Sequence, residues 1–274
     1  MNRYFKYLIK VPFKLILTWS IAPALYVSLL PLAFANQSVE SVLIDAQREA
    51  FSGLAENEGL MNFIGISDWN NVFTLEGMVT TYFMNLFVPL LVSIATIVLL
   101  NKMTAKAEED GTFEFIASLP MTRSTIYLAH SIVAVLFGLL ISFCWFSVMY
   151  IPMALMNLTQ TLDYLPLIKA GFQSALGGVS FGVLGFSASA FSGKSTNAWT
   201  FGMGLLGIEW LSNMLSSNNN FFNWINENIS SFGAYGNPYQ NGLELESILL
   251  VFGKILVFLV IGYIGFTKRS LNLK

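Results

Sequence analysis

The sequence predicts an all-α integral membrane protein of six transmembrane helices, with both termini cytoplasmic, and three observations predict it. Of 274 residues, 55% are hydrophobic and only 11% charged, against about 25% charged in a soluble domain. With a mean hydropathy of +0.63, there is too little charge to cover a water-facing surface. Six apolar stretches approach the roughly 20 residues that a helix needs to cross the hydrocarbon core. No ten-residue alternating pattern suggests a barrel strand, and unpaired backbone cannot be left in lipid, so the spans must be helices. They run over 14–35, 78–100, 131–156, 166–191, 197–216 and 247–267, in one transmembrane domain covering 1–274.

The elements can be justified in order. Residues 1–13 mix Tyr4, Phe5, Tyr7 and Leu8 with basic residues, which predicts an interfacial anchor helix. The first span ends in Ala33-Phe34-Ala35, which resembles a signal-peptide cleavage site. Its apolar stretch is longer than the usual 7 to 15 residues of a signal core, so a retained helix is expected. Cleavage would leave five spans and an external N-terminus. The external segment 36–77 is acidic, and Val39, Val42, Leu43, Ala46, Ala50 and Leu54 follow helical spacing, which predicts an amphipathic helix lying on the outer face.

After the second span comes a loop, 101–130, holding the charged and aromatic island Glu108 to Arg123. Gly111 permits a sharp start, Thr112 to Leu119 give about two helical turns, and Pro120 stops them. Acidic residues cluster at the N-terminal end, where the helix dipole favours them. A short helix parallel to the membrane, carrying Phe113, Phe115, Ile116 and Leu119, is suited to a groove on a soluble partner. The third span begins just after His130, read as an interfacial polar residue, and carries the single cysteine, Cys144, read as a packing residue.

In the fourth span Gly171, Ala175, Gly178, Gly182, Gly185 and Ser189 recur at alternating spacings of four and three, on one helical face. Such a stripe marks a close helix contact. Packing within the chain is favoured over a subunit interface or sliding surface. The fifth and sixth spans each contain an ionisable residue, at a cost of roughly 2.5 to 3.5 kcal/mol at the bilayer centre. Glu209 lies seven residues before the outer end of the fifth and Lys254 seven after the outer start of the sixth. At about 1.5 Å per residue both sit roughly 10 Å below the boundary. They could form an ion pair joining the two helices or lining an outward cavity; alternatively, Lys254 snorkels and Glu209 sits higher. Between these spans, the external segment 217–246 is rich in Asn and aromatic residues, which suits the headgroup level.

Orientation follows from the basic residues. Of 14 Lys and Arg, only Arg48, Lys169 and Lys254 fall outside the N-terminal side, leaving eleven on it, which makes that side cytoplasmic.

The net charge of −2 implies no nucleic-acid partner. One histidine and one cysteine rule out a His-pair zinc site and a disulfide. Without a Gly-x-Ser-x-Gly elbow, a serine triad has no support either. No catalytic, cofactor-binding or metal residue is assigned. Ala188 to Ser195 matches a loosened phosphate loop, but such a loop needs a preceding strand and a soluble helix after it. Membrane helices flank this one. Gly193 is expected to stop one helix, and Ser195 or Thr196 to cap the next. The chain therefore contains no expected ATPase.

The island resembles the coupling region of the type 2 ATP-binding-cassette permease family, whose loop between second and third spans carries an acidic stretch, Gly-Thr-aromatic-or-Leu-Glu, then Ser-Leu-Pro and a nearby Arg. The match here is Glu108, Glu109, Gly111, Thr112, Phe113, Glu114, Ser118, Leu119, Pro120 and Arg123. Phe266 to Leu271 is similar to the family's basic finish, although Ser270 stands where an acidic residue is common. The resemblance implies a multi-pass permease of a bacterial plasma membrane, in contact with lipid. It also implies a separate ATPase subunit that binds ATP and magnesium, and a second permease chain in a homo- or heterodimer. ATPase contacts carried over are Glu108, Gly111, Phe113, Glu114, Pro120 and Arg123. Export of a hydrophobic or amphipathic cargo follows by the same analogy. The alternatives are a non-transporting immunity or regulatory subunit and a secondary transporter, though neither inverted repeats nor clear midplane charges are seen.

Overall fold

A computed structural model describes residues 2–34, 45–46, 49, 74–158, 162–217, 219–235, 238–242 and 244–271. The described residues contain helices and no strand. In chain order these are α1 Asn2–Phe34, α2 Leu75–Gly77, α3 Val88–Met103, α4 Ala105–Glu109, α5 Phe113–Ala117, α6 Arg123–Leu155, α7 Tyr164–Ser192, α8 Ser195–Leu215, α9 Asn220–Asn228, α10 Ser231–Tyr235, α11 Pro238–Asn241 and α12 Leu245–Lys268. A π-helix, Met78–Phe87, joins α2 to α3, and the Val88 N–H reaches back five residues to the Phe83 carbonyl. Most of the amphipathic helix expected over 36–77 lies outside the described residues.

Five helical stretches among the described residues are long and apolar enough to cross a membrane: Phe13–Leu32, Leu75–Glu109, Arg123–Leu155, Tyr164–Ser192 and Leu245–Lys268. The chain is thus an all-helical membrane protein. Ser195–Leu215, read as the fifth of six spans, is a 21-residue helix but does not join this set. Helix α1 runs unbroken from Asn2, so the segment read as an interfacial helix continues directly into the first span.

Helix α7 forms the centre. It packs against α3, α6, α8 and α12, while α1 packs along α6. Its span is 83% buried, against 22% for α12 and 18% for α1, so the latter two leave most of their surface for lipid. The small-residue stripe explains the burial. A Cβ on Gly178 would come within 2.7 Å of the Pro89 carbonyl oxygen, and one on Gly182 within 2.5 Å of Thr96 Cβ. On the same helix, Gly185 fits against the Ala198 carbonyl and Gly171 against the Phe146 ring. Ala175 and Ser189 are buried with them. The stripe therefore packs within the chain, against α3, α6 and α8.

The third long helix begins earlier than expected. Thr122 is extended and its hydroxyl accepts from the Thr125 N–H, capping α6 so that Arg123 is its first residue. His130 consequently sits two turns inside the helix and is fully buried. Cys144 is half-buried and free, and Lys169 is exposed.

Candidate functional site

The sequence from Thr104 to Thr122 folds into two five-residue helices between the ends of α3 and α6. Thr104 leaves helical geometry and ends α3. Gly111 adopts φ +74°, a left-handed conformation open to glycine at little cost, and lets the chain turn from α4 into α5. The Ser118 N–H bonds the Glu114 carbonyl, and the chain leaves α5 through Pro120.

Three attachments hold this loop to the ends of other helices. The Arg269 guanidinium donates to both carboxylate oxygens of Glu108, with Nη1 to Oε1 at 2.7 Å. Arg269 Nε also donates to the Ala190 carbonyl at 2.7 Å, bringing in the last turn of α7. Phe113 meets Phe266 of α12 edge to face, at 6.1 Å between ring centres. At the third attachment, the Glu109 carboxylate accepts from the Ser195 N–H at 2.8 Å and from the Ser195 hydroxyl at 2.7 Å. The two Ser195 donors hold the Glu109 carboxyl below its ordinary range, the backbone N–H contributing most.

This third attachment corrects the expected cap. Gly193 ends α7 with φ +73°, but neither Ser195 nor Thr196 supplies the side chain that caps α8. Glu109, distant in sequence, does so. The turn resembling a phosphate loop is thereby tied to α4, and Asn101 adds a bond to the Ser195 carbonyl at 3.1 Å.

Burial divides the six residues expected to contact an ATPase. Glu108 and Phe113 are 2% and 1% exposed, so they face inward and secure the loop. Gly111 and Glu114 are half-buried, while Pro120 and Arg123 are exposed. Arg123 donates to the Arg269 carbonyl at 2.5 Å, linking the start of α6 to the end of α12. Phe115, absent from the expected contacts, is 58% exposed. Phe115 is one of the apolar residues read as facing a partner groove, and it points away from Phe113 because two residues two apart lie on different sides of a helix.

The pair of residues singled out in the sequence, Glu209 and Lys254, lies toward the other end of α8 and α12. Glu209 on α8 and Lys254 on α12 are 2.5 Å apart, and both are largely withdrawn from solvent. Glu209 also accepts from the Ser231 N–H at 2.7 Å, while Lys254 donates to Ser231 Oγ at 2.9 Å and the Ile229 carbonyl at 3.1 Å. The Phe181 ring of α7 lies 5.6 Å from the ammonium. The two bonds to Ser231 seat the start of α10 on α8 and α12. Gly177 leaves room for the Tyr235 ring, whose phenol burial pushes up well above its ordinary range, with the nearby Glu209 charge adding to the shift.

No group of three or more His, Cys, Asp and Glu among the described residues could hold a metal. Comparisons with known protein families, curated proteins and solved structures return no match.

Proposed function

We propose that this chain is the permease subunit of an ATP-driven exporter, forming the translocation pathway with a second permease chain and driven by a separate ATPase subunit docked on the 104–122 loop. The observation that carries the reading is the loop's two-sided construction. Phe115, Pro120 and Arg123 face outward, while Glu108, Glu109 and Phe113 bind the same short segment to the ends of α7, α8 and α12. A partner pushing on the outer side displaces three helix ends together, because the loop cannot yield independently. An exposed aromatic and an exposed arginine on one short stretch suit a docking surface, where these residue types carry much of the binding energy. ATP and magnesium belong to the partner in this reading, and the excess of Lys and Arg on the loop's side supports a cytoplasmic position for it.

The test is to look for an ATP-binding-cassette ATPase in the adjoining reading frame and to co-express the two chains. Replacing Phe115 with alanine and Arg123 with glutamate should reduce both recovery of the complex and transport-linked ATP hydrolysis. Undiminished complex and hydrolysis in both variants would remove the assignment.

A further inference from the structure

One cavity is lined by no residue of the Glu108–Arg269 or Glu209–Lys254 pair. It is a groove of about 310 Å³ between α7, α8 and α12, at the lower end of the roughly 300–1,000 Å³ of small-molecule sites. Ala188, Phe191, Phe201, Phe258 and Ile261 make its walls apolar. Ser187 also lines it, but that hydroxyl lies 3.3 Å from the Tyr127 hydroxyl. At the end nearest the 104–122 loop are Ser192 and Asn197, which bond to each other at 2.8 Å. No acidic side chain lines the groove.

Two exposed lysines stand beyond that polar end. Lys194 directly precedes α8, three residues before Asn197. Lys268 follows Ile261 by seven residues in α12, on nearly the same helical face and about 10 Å further along the axis. Arg269 is not a third free cation, since Glu108 holds it. The site thus has apolar walls on three long helices, with two exposed lysines just beyond its polar end.

We propose that this groove binds an anionic glycerophospholipid of the leaflet facing the 104–122 loop, with an acyl chain along Phe191, Phe201 and Phe258 and its phosphate near Lys194 and Lys268. The charge arrangement favours this occupant over a zwitterionic lipid, because juxtamembrane lysines are attracted to net negative headgroups. It also favours a lipid over a helix from a second copy, which would cover the walls without using the lysines. The inference is independent of the ATPase assignment.

The full-length chain, purified in detergent and stripped of lipid, would be mixed with phosphatidylglycerol or phosphatidylcholine and measured by native mass spectrometry. The wild type should retain phosphatidylglycerol with a preference on the order of tenfold. Lys194→Gln with Lys268→Gln should lose that preference, and Ala188→Trp should remove both lipid adducts. Equal retention of the two lipids by the wild type, or a preference that survives loss of both lysines, would overturn the proposal. So would a dimer that forms without lipid and disappears in Ala188→Trp, because a second copy would then occupy the groove. If Ala188→Trp fails to give a folded helical protein by circular dichroism, the lysine variant alone decides the outcome.

Discussion

Arg269, one residue beyond the last long helix, closes a bidentate ion pair on Glu108, 161 residues earlier in the chain. Both side chains are largely withdrawn from water, with 14% and 2% of their surfaces exposed. The pair joins α4 to the end of α12, and the Arg269 bond to Ala190 extends the link to α7.

Removing one member of this pair leaves the other buried without its counter-charge, at a cost of roughly 3 kcal/mol. Arg269→Gln and Glu108→Gln should each lower the melting temperature in detergent, and the double variant should lose less than the sum. A double-mutant cycle that closes within about 0.5 kcal/mol would show that the two residues do not act together.

Glu109 has a different and pH-dependent role. Its carboxylate caps α8 through Ser195, and its pKa is lowered in the folded protein. A group with a depressed folded pKa contributes stability above its unfolded value, about 4.3 for glutamate, and loses that contribution as pH falls through the folded value. The melting temperature of the wild type should therefore fall more steeply below about pH 4.5 than that of Glu109→Gln. Parallel curves for the two proteins would show that Ser195 is not held by the charge.

These attachments also show which parts of the structure were legible in the sequence. Long helices were legible because apolar length alone implies them. Glu209 and Lys254 could be related because both depths can be measured from a membrane boundary by the helical rise, and buried charges seek partners. The small-residue stripe could be recognised because seven residues nearly complete two turns. Short-range patterns gave less guidance in the 104–122 loop. A five-residue helix is too short for periodicity to show whether Phe113 or Phe115 faces inward. The pairing of Glu109 with Ser195 joins residues 86 apart, and no local signal links them. The burial of His130 was not legible, because the cap at Thr122 starts α6 eight residues before the apolar run.

The glycines can be separated by what surrounds them. Gly178 and Gly185 face main-chain carbonyls at 2.7 Å and 2.3 Å from an added Cβ, so alanine would force α7 away from α3 or α8. Each replacement should cost about 1–3 kcal/mol, as overpacking usually does. Gly204 and Gly207 of α8 have nothing within 4 Å of an added Cβ. Alanine there should be neutral or stabilising by roughly 0.5–1 kcal/mol, because it restricts the unfolded chain and favours the helix. Melting curves of the four single variants test the contrast, and equal losses in all four would contradict the packing described for α7.

Phe113 and Phe115 offer the sharpest separation of structure from proposed partner binding. They are two residues apart on α5, yet one is 1% and the other 58% exposed. Phe113 lies against Phe266, so Phe113→Ala should empty a filled site and cost about 3–5 kcal/mol. That loss would appear in the isolated protein, with no partner present. Phe115→Ala should leave the isolated protein's melting temperature nearly unchanged, because little of this side chain is packed. Its effect should appear on mixing with the ATPase, as a loss of about 1–2 kcal/mol in affinity if Phe115 fills a pocket at the centre of the interface. Measuring stability and complex affinity for both variants therefore separates the two faces of one short helix. A Phe115→Ala protein that melts like wild type and binds the ATPase like wild type would place the docking surface elsewhere.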